Sequence, residues 1–308
     1  FSIFNEPEKI LAFSNNKLQI ESCNLSLSNC IFEILSQEEY SKLLGARYRN
    51  NKGFEYIFVG NKIDYEHGLI AQNIKRSKFQ SIDIENDSRL VTYGLIESTI
   101  NNKSKVINLY QKSINGKALV VGGALKDWKI NFFGIEENLV QNEQRFDENL
   151  LTGCLTLLDM DVKSIDISVE KSTCEDAVNF LRVSGHVDKI DIQHAHSDGL
   201  DLDYSDLSFG DINIYNAGND CLDFSAGNYK VDYVELNKCH DKAISIGEKA
   251  NSIFNNIEIL NSNLGIVSKD SSVVNINNVT FKNTDLCFSA YNKKQEFWGG
   301  KIIVVQHN

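Results

Sequence analysis

Asp198-Gly199-Leu200-Asp201-Leu202-Asp203 is followed, 22 residues on, by Asp220-Cys221-Leu222-Asp223-Phe224-Ser225. Both lines carry a corner carboxylate, a small residue, and then alternating apolar and polar positions. The small residue recurs at Ala177, Gly199, Cys221, Ala243, Gly265 and Cys287, at a constant interval of 22. After it come Val178, Leu200, Leu222, Ile244, Ile266 and Phe288, and two positions further Phe180, Leu202, Phe224, Ile246, Ser268 and Ala290. Alternation with a period of two marks strands with one face buried, so these positions point inward. Between them Asn179, Asp201, Asp223, Ser245, Val267 and Ser289 form an outward column.

A second strand per repeat keeps the same interval at Ile190/Ile192, Ile212/Ile214 and Val234/Leu236. It resumes at Ile257/Ile259 and Val279/Phe281 after a one-residue insertion. Asn216, Asn261 and Asn283 follow these strands; asparagine tolerates the left-handed backbone of a bend and can hydrogen-bond to its counterpart in the next coil. A helical repeat is disfavoured, because the apolar period is 2 rather than 3.6 and the strands are β-branched. Short strands, small or Asn/Asp corners and identical stacked columns predict an all-β chain folded as a right-handed parallel β-helix over 121–308. Residues 1–120 contain strand-like pieces at 18–20, 79–84 and 117–121 and a helix predicted over Ser36–Leu44 by the capping box of Ser36 and Glu39. They read as an irregular start to the solenoid or a cap, with candidate boundaries at 50–53 and 100–104.

The 308 residues are 42% hydrophobic and 24% charged, enough for a substantial core. No apolar run reaches the ~18 residues of a membrane span, and no signal-peptide pattern opens the chain. A net charge of −11 makes nucleic acid an improbable partner, since its backbone needs a cationic groove. An acidic polysaccharide is not excluded, because one cationic lane can lie in an acidic surface. Seven cysteines, an odd number without metal-ligand spacing, read as mostly reduced, which fits a cytoplasmic setting. Long β-helices acting on polysaccharide favour an exported or cell-surface one. Oligomeric state is not legible.

Neighbouring coils lie ~4.8 Å apart, so a sequence distance of 22 becomes contact distance. Asp201 and Asp223 are then adjacent carboxylates, with Asp203 two residues along; like charges so close raise at least one pKa unless a cation or proton intervenes. Aspartate is disfavoured in mid-strand, which singles this pair out for chemistry. Arg182, Glu248, Lys269 and Asp270 flank it, and the small column suggests the floor of a shallow polar groove in which Tyr204, Tyr291 and Trp298 either stack on sugar rings or cover the core. At the corner, Asp176, Asp198 and Asp220, continued by Lys242, either accept backbone N–H groups or bind substrate. Clustered carboxylates suit calcium, though no calcium-loop spacing is present, and no other cofactor is implied. His240 is expected beside the carboxylate lane, and His194 and His196 form a pair without a third zinc ligand, so no metal site is predicted.

The segments Ser197-Asp198-Gly199, Asn219-Asp220-Cys221, Cys239-His240-Asp241 and Val267-Ser268-Lys269 resemble the four signature segments of the polygalacturonase family of glycoside hydrolases, which read Asn-Thr-Asp, Asp-Asp-Cys, Gly-His-Gly and Arg-Ile-Lys. The resemblance implies carboxylate roles for Asp198 and Asp220, an auxiliary base at His240 and a substrate clamp at Lys269; Asn219 and Val267 depart from the pattern. A broader resemblance, over roughly 125–300, is to bacterial pectin-lyase-like β-helix proteins without an assigned activity. It rests on segments 174–179, 198–201, 219–223, 241–248, 265–270 and Tyr291-Asn292-Lys293-Lys294. It implies one polar lane of Arg182, Asp201, Asp223, Glu248, Lys269 and Lys293.

The expectation is an enzyme acting on a polysaccharide or glycoconjugate, most simply a glycosidase. Catalysis would fall to Asp201, Asp223, Asp203, Glu248 and His240, and substrate binding to Arg182, Lys269, Asp198, Asp220, Lys242, Tyr291 and Lys293. The alternatives are a uronic-acid lyase or epimerase, and a non-catalytic glycan-binding or adhesion solenoid.

Overall fold

In the computed structural model the described residues are the strands 9–13, 31–35, 47–49 and 55–57, and the stretches 79–135 and 151–307. The chain divides into two compact units, Phe1–Arg76 with Phe146–Leu151, and Ser77–Arg145 with Thr152–Asn308. In the first unit β1 (Lys9–Phe13) pairs in parallel with β2 (Ile31–Leu35), and β3 (Arg47–Arg49) pairs antiparallel with β4 (Glu55–Ile57). The helix predicted over 36–44, the strand at 18–20 and the boundary at 50–53 lie outside the described residues.

The second unit is a parallel β-solenoid of about eight turns. It opens with β5 (Phe79–Asp83), β6 (Arg89–Tyr93), β7 (Ile96–Asn101), β8 (Val106–Gln111), β9 (Lys117–Val121), β10 (Ala124–Lys126) and β11 (Lys129–Phe133). Antiparallel pairing of β6 with β5 and β9, and of β7 with β8, occupies backbone groups that an open solenoid end would leave bare. The stretch 100–104 is part of the β7–β8 hairpin, where Asn101 Oδ1 accepts from the amides of Lys103 and Ser104 at 3.1 Å.

From there every pairing is parallel: β12 (Gly153–Glu170), β13 (Asp176–Ala195), β14 (Asp198–Ala217), β15 (Leu222–Cys239), β16 (Lys242–Gly247), β17 (Asn251–Lys269), β18 (Val273–Tyr291) and β19 (Lys301–His307). The C-terminal strand is thus added to the edge of the solenoid, as β19 on β18. Among the described residues there is no helix, and so none long and apolar enough to cross a membrane.

The inward positions are the core. Val178, Leu200, Leu222, Ile244 and Ile266 are fully buried, as are Phe180, Leu202, Phe224 and Ile246, and aromatic pairs such as Phe224 with Phe254 run along the axis. Two corners per coil use left-handed backbone. One holds Lys171, His194, Asn216, Lys238, Asn261 and Asn283, and the other Asp159, Arg182, Tyr204, Ala226, Glu248 and Asp270, all with φ between 48° and 66°. At the first, Asn283 donates to Asn261 at 3.0 Å and Asn261 to Asn237 at 2.9 Å, so bend side chains hydrogen-bond from coil to coil. Gly227 (φ 94°) is obligatory, because a Cβ there would lie 2.0 Å from the Ser205 carbonyl oxygen.

Two expectations are corrected. The small residues are not a groove floor: Ala177, Cys221 and Ala243 are fully buried, and a Cβ on Gly199 would meet the Ile214 side chain at 3.0 Å. They are small because the interior narrows at that bend. Nor are the cysteines mostly reduced, since Cys154 bonds Cys174 and Cys221 bonds Cys239, leaving Cys287 as the free thiol among the described residues. Each bridge joins a small-column cysteine to one near the end of the same coil, a pairing that sequence spacing alone does not reveal.

Candidate functional site

The registered strands lay out the site as parallel columns. Column one is Asn179, Asp201, Asp223, Ser245, Val267 and Ser289, each paired with the next across β13 to β18. Column two, two residues along, contains Asp203, Ser225, Gly247, Lys269 and Tyr291, with Asp203 paired to Ser225, Ser225 to Gly247, and Lys269 to Tyr291. Beyond it runs the left-handed corner with Arg182, Tyr204 and Glu248. On the near side lies the corner of Asp176, Asp198, Asp220 and Lys242.

Asp201 and Asp223 therefore stand side by side, as the period predicts, but in unequal surroundings. Asp201 is only 8% exposed. Burial, and then the carboxylates of Asp203, Asp176, Asp223 and Asp198, pushes its pKa well above the ordinary carboxylate range. Asp223 has a cation at hand: the Lys269 ammonium is 3.7 Å from its Oδ1. That oxygen is buried and accepts no hydrogen bond within the protein. The lysine donates instead to Ser245 Oγ at 2.7 Å. Its stem runs over Gly247, where an added Cβ would fall 2.9 Å from Lys269 Cε, so the glycine is the slot that lets a buried lysine cross the coil. Lys269 is accordingly a partner of the carboxylate column rather than an outward clamp.

Of the readings offered for the corner aspartates, Asp198 and Asp220 show the first, accepting backbone N–H groups at the bend. Asp198 Oδ1 accepts from the Asp220 amide at 2.9 Å and from Asn219 Nδ2 at 2.7 Å. Asp220 Oδ1 accepts from the Lys242 amide at 2.9 Å and from its ammonium at 3.1 Å. They hold the bend, but at an electrostatic cost. Burial first and Asp220 next push Asp198 up to about 7, against the hydrogen bonds from the Asp220 amide and Asn219. Burial and Asp223 push Asp220 up to about 6, with Lys242 pulling the other way. Asp176 is raised well above its ordinary value by burial and Asp198, and its Oδ2 is buried without a hydrogen-bond partner. Lys242 loses some basicity to burial and regains more from Asp220 and Asp241, so its pKa rises.

The far corner is more open. Tyr204 is 54% exposed, beside Asp203, Glu248, Lys294 and Arg182. Glu248 accepts from Ser225 Oγ at 2.7 Å and pairs with Lys294 at 2.6 Å. Burial pushes Glu248 upward, but these contacts and Lys269 outweigh it and hold its pKa below the ordinary value. Asp203 accepts from Asn179 Nδ2 at 3.2 Å. Arg182 is turned to the preceding coil, in a bidentate pair with Asp159 at 2.6 and 3.0 Å. Asp270 Oδ1 accepts from the amides of Lys293 and Lys294 at 2.8 and 2.7 Å, which sets the turn that brings Lys294, rather than Lys293, to Glu248. Tyr291 stands next to Lys269 on the last coil and is 37% exposed.

His240 does not join the carboxylate lane. It lines a separate recess with His194 and His196, because its column turns away before the Asp220–Lys242 corner. Sequence reasoning passed over Lys294 and the buried pairing of Ser245 with Lys269. The serine's place in the column was visible, but nothing marked the lysine's fold-back. Among the described residues no three histidine, cysteine, aspartate or glutamate side chains converge as metal ligands. No known protein family, curated protein or solved structure matches this chain.

Proposed function

We propose that this solenoid is a glycoside hydrolase acting on a polysaccharide or glycoconjugate laid across the aspartate face. The observation that carries the reading is the inequality of two registered carboxylates. Asp201, buried among like charges, favours the protonated form and is suited to general acid; Asp223, facing Lys269, is suited to general base or nucleophile. Lys269 and Ser245 orient the pair, while Tyr204 and the Glu248–Lys294 pair offer a stacking face and hydroxyl partners at its edge. The resemblance to the polygalacturonase segments supports this class. The two disulfides favour an exported or cell-surface location. The lyase reading, which needs Lys269 or His240 as its base, finds less support, because Lys269 is buried and engaged with Ser245 and Asp223 and His240 lines the separate recess.

The test is product analysis by mass and reducing ends after incubation with neutral and acidic polysaccharides, for the wild type and for a folded Asp201→Asn/Asp223→Asn variant. One water gained per cleavage, lost in the variant, is expected. An unsaturated product moves the assignment to a lyase. Binding without any product, alike in both proteins, overturns catalysis and leaves a glycan-binding solenoid.

A further inference from the structure

His186, Asp188 and Ser208 meet on the sheet that follows the left-handed corner of Arg182, Tyr204 and Glu248. His186 and Asp188 flank the fully buried Val187 on β13, and residues two apart in a strand point to one face, so both side chains turn outward. Ser208 is the register partner of His186 on β14 and is half-buried. Strand alternation and coil stacking thus bring a hydroxyl, an imidazole and a carboxylate together. His186 Nδ1 lies 2.8 Å from Ser208 Oγ, and His186 Nε2 lies 3.0 Å from Asp188 Oδ1.

The two ring nitrogens have different partners and therefore different roles. An ionised Asp188 can only accept, so it takes the proton on Nε2 and leaves Nδ1 of the neutral ring as acceptor for the Ser208 hydroxyl. The hydroxyl's other acceptor, the Gly185 carbonyl oxygen, is farther away at 3.3 Å. Nucleophile, base and orienting carboxylate in series activate a serine. Nδ1 and Nε2 exchange the places they hold in serine proteases, which leaves the proton path intact.

The backbone beside the three residues is irregular. The register of β12 on β13 shifts between Lys163 and Ile165, opposite His186 and Val187, with Ser164 left-handed at φ 54°. Such bulges re-aim neighbouring side chains and recur next to active sites. Gly185, at φ 123°, has no room for a side chain, since a Cβ would lie 1.9 Å from the Val162 carbonyl oxygen. Gly210, two residues beyond Ser208 on the same face, adds no side chain over the approach to Oγ. Lys230, the exposed register partner of Ser208 on β15, sets an ammonium beside the place where a carbonyl oxygen attacked by Oγ would gain negative charge. Asp206, on the same face, is engaged by Asn228. These immediate neighbours of Ser208 are all polar or glycine, which suits a short acyl group over a long one.

We propose that Ser208, His186 and Asp188 form a second hydrolytic site, for short-chain carboxylic esters such as an O-acetyl group. Ser208 Oγ attacks the ester carbonyl carbon as its proton passes to His186 Nδ1. The tetrahedral oxyanion collapses, the proton returns to the leaving alcohol, and an acyl-serine remains. Water then attacks the acyl carbon while giving a proton to Nδ1; that proton returns to Ser208 Oγ as the carboxylic acid leaves. Ester and water become alcohol and acid. Asp188 touches no reacting atom and is a positioning residue. The assignment does not rest on the glycosidase reading, because it shares no residue with the Asp201–Asp223 pair.

The experiment treats the full chain with a fluorophosphonate and locates the adduct by peptide mass spectrometry. In parallel it follows acetate release from p-nitrophenyl acetate and from an O-acetylated polysaccharide. Labelling of Ser208 well ahead of the exposed Ser184, and acetate release from both esters, are expected. Ser208→Ala should abolish turnover, and His186→Gln should lower kcat by at least ~10²-fold, the usual worth of a general base. Asp188→Asn should lower kcat ~10-fold with KM unchanged, about the worth of one charge-assisted hydrogen bond, and Asp188→Glu should recover part of the loss. Ser184→Ala should leave turnover unaltered, and all variants should keep the wild-type circular dichroism. Ser208 labelled no faster than Ser184, or wild-type turnover in Ser208→Ala or His186→Gln, overturns the site. Turnover of the nitrophenyl ester alone overturns the O-acetyl group as its substrate.

Discussion

Replacing Asp198 by Asn should lessen the loss of stability that this protein undergoes as pH rises. Asp198 is 6% exposed, and its Oδ1 accepts the Asp220 amide and the Asn219 side chain, roles that an asparagine oxygen can keep. The substitution therefore removes the capacity for charge while sparing the bend. In the unfolded chain the carboxyl ionises near 3.8, and in the folded protein near 7. Below the first value both states are protonated and the group makes no difference. Between the two values the folded state binds more protons than the unfolded one, so stability falls as pH rises, and above about 7 the whole penalty is present. At 1.36 kcal/mol per pH unit that penalty is about 4 kcal/mol, part of it shared with Asp176 and Asp220 through their mutual repulsion. Urea unfolding between about pH 3 and about pH 8.5, which brackets both values, followed by circular dichroism and by the fluorescence of buried Trp128, reads the effect. The wild-type midpoint should fall across this range. The variant should fall less and should exceed the wild type by up to about 4 kcal/mol at the alkaline end, with near equality at the acid end. A wild-type midpoint that rises with pH, or a variant that keeps the wild-type slope, would refute the buried repulsion inferred for this corner.

Three further outcomes follow from the same geometry. Gly247→Ala adds a methyl group where Lys269 Cε passes, so it should displace the ammonium from Ser245 and Asp223; hydrolytic activity should fall to nearly the level of Lys269→Met while stability drops by ~1 kcal/mol, and full activity would separate the lysine from the chemistry. If Asp201 is the general acid, kcat/KM on a cleaved glycan should fall on the alkaline side as it ionises, and in a residually active Asp201→Asn variant that limb should vanish while the acid limb persists; an unchanged alkaline limb would assign it to another group. Reduction of the two bridges, which span 20 and 18 residues, should lower stability by ~3 kcal/mol each on loop-closure grounds, measured as the urea midpoint with and without reductant; an unaltered midpoint would count against their formation.

A period of 22 with inward apolar alternation can be satisfied by stacked coils, so the sequence by itself determined the solenoid, the register of β13 to β18 and the adjacency of Asp201 to Asp223. The bend asparagines belonged to the same reading, because identical residues one coil apart must meet. What the period cannot carry is the direction and reach of a side chain once it leaves the backbone. Lys269 folds back into the Gly247 slot instead of facing solvent, Arg182 turns to Asp159, and Lys294 reaches Glu248 because Asp270 fixes a turn. The disulfides join positions 18 and 20 residues apart whose closeness depends on how a coil closes, and the small column lies inside because the interior narrows there. His240 sits only two residues from Lys242, yet the corner between them sends one to the recess it shares with His194 and His196 and the other to the aspartates. Burial likewise belongs to the assembled coils, and it is burial, ahead of charge repulsion, that makes Asp201 and Asp198 poor acids.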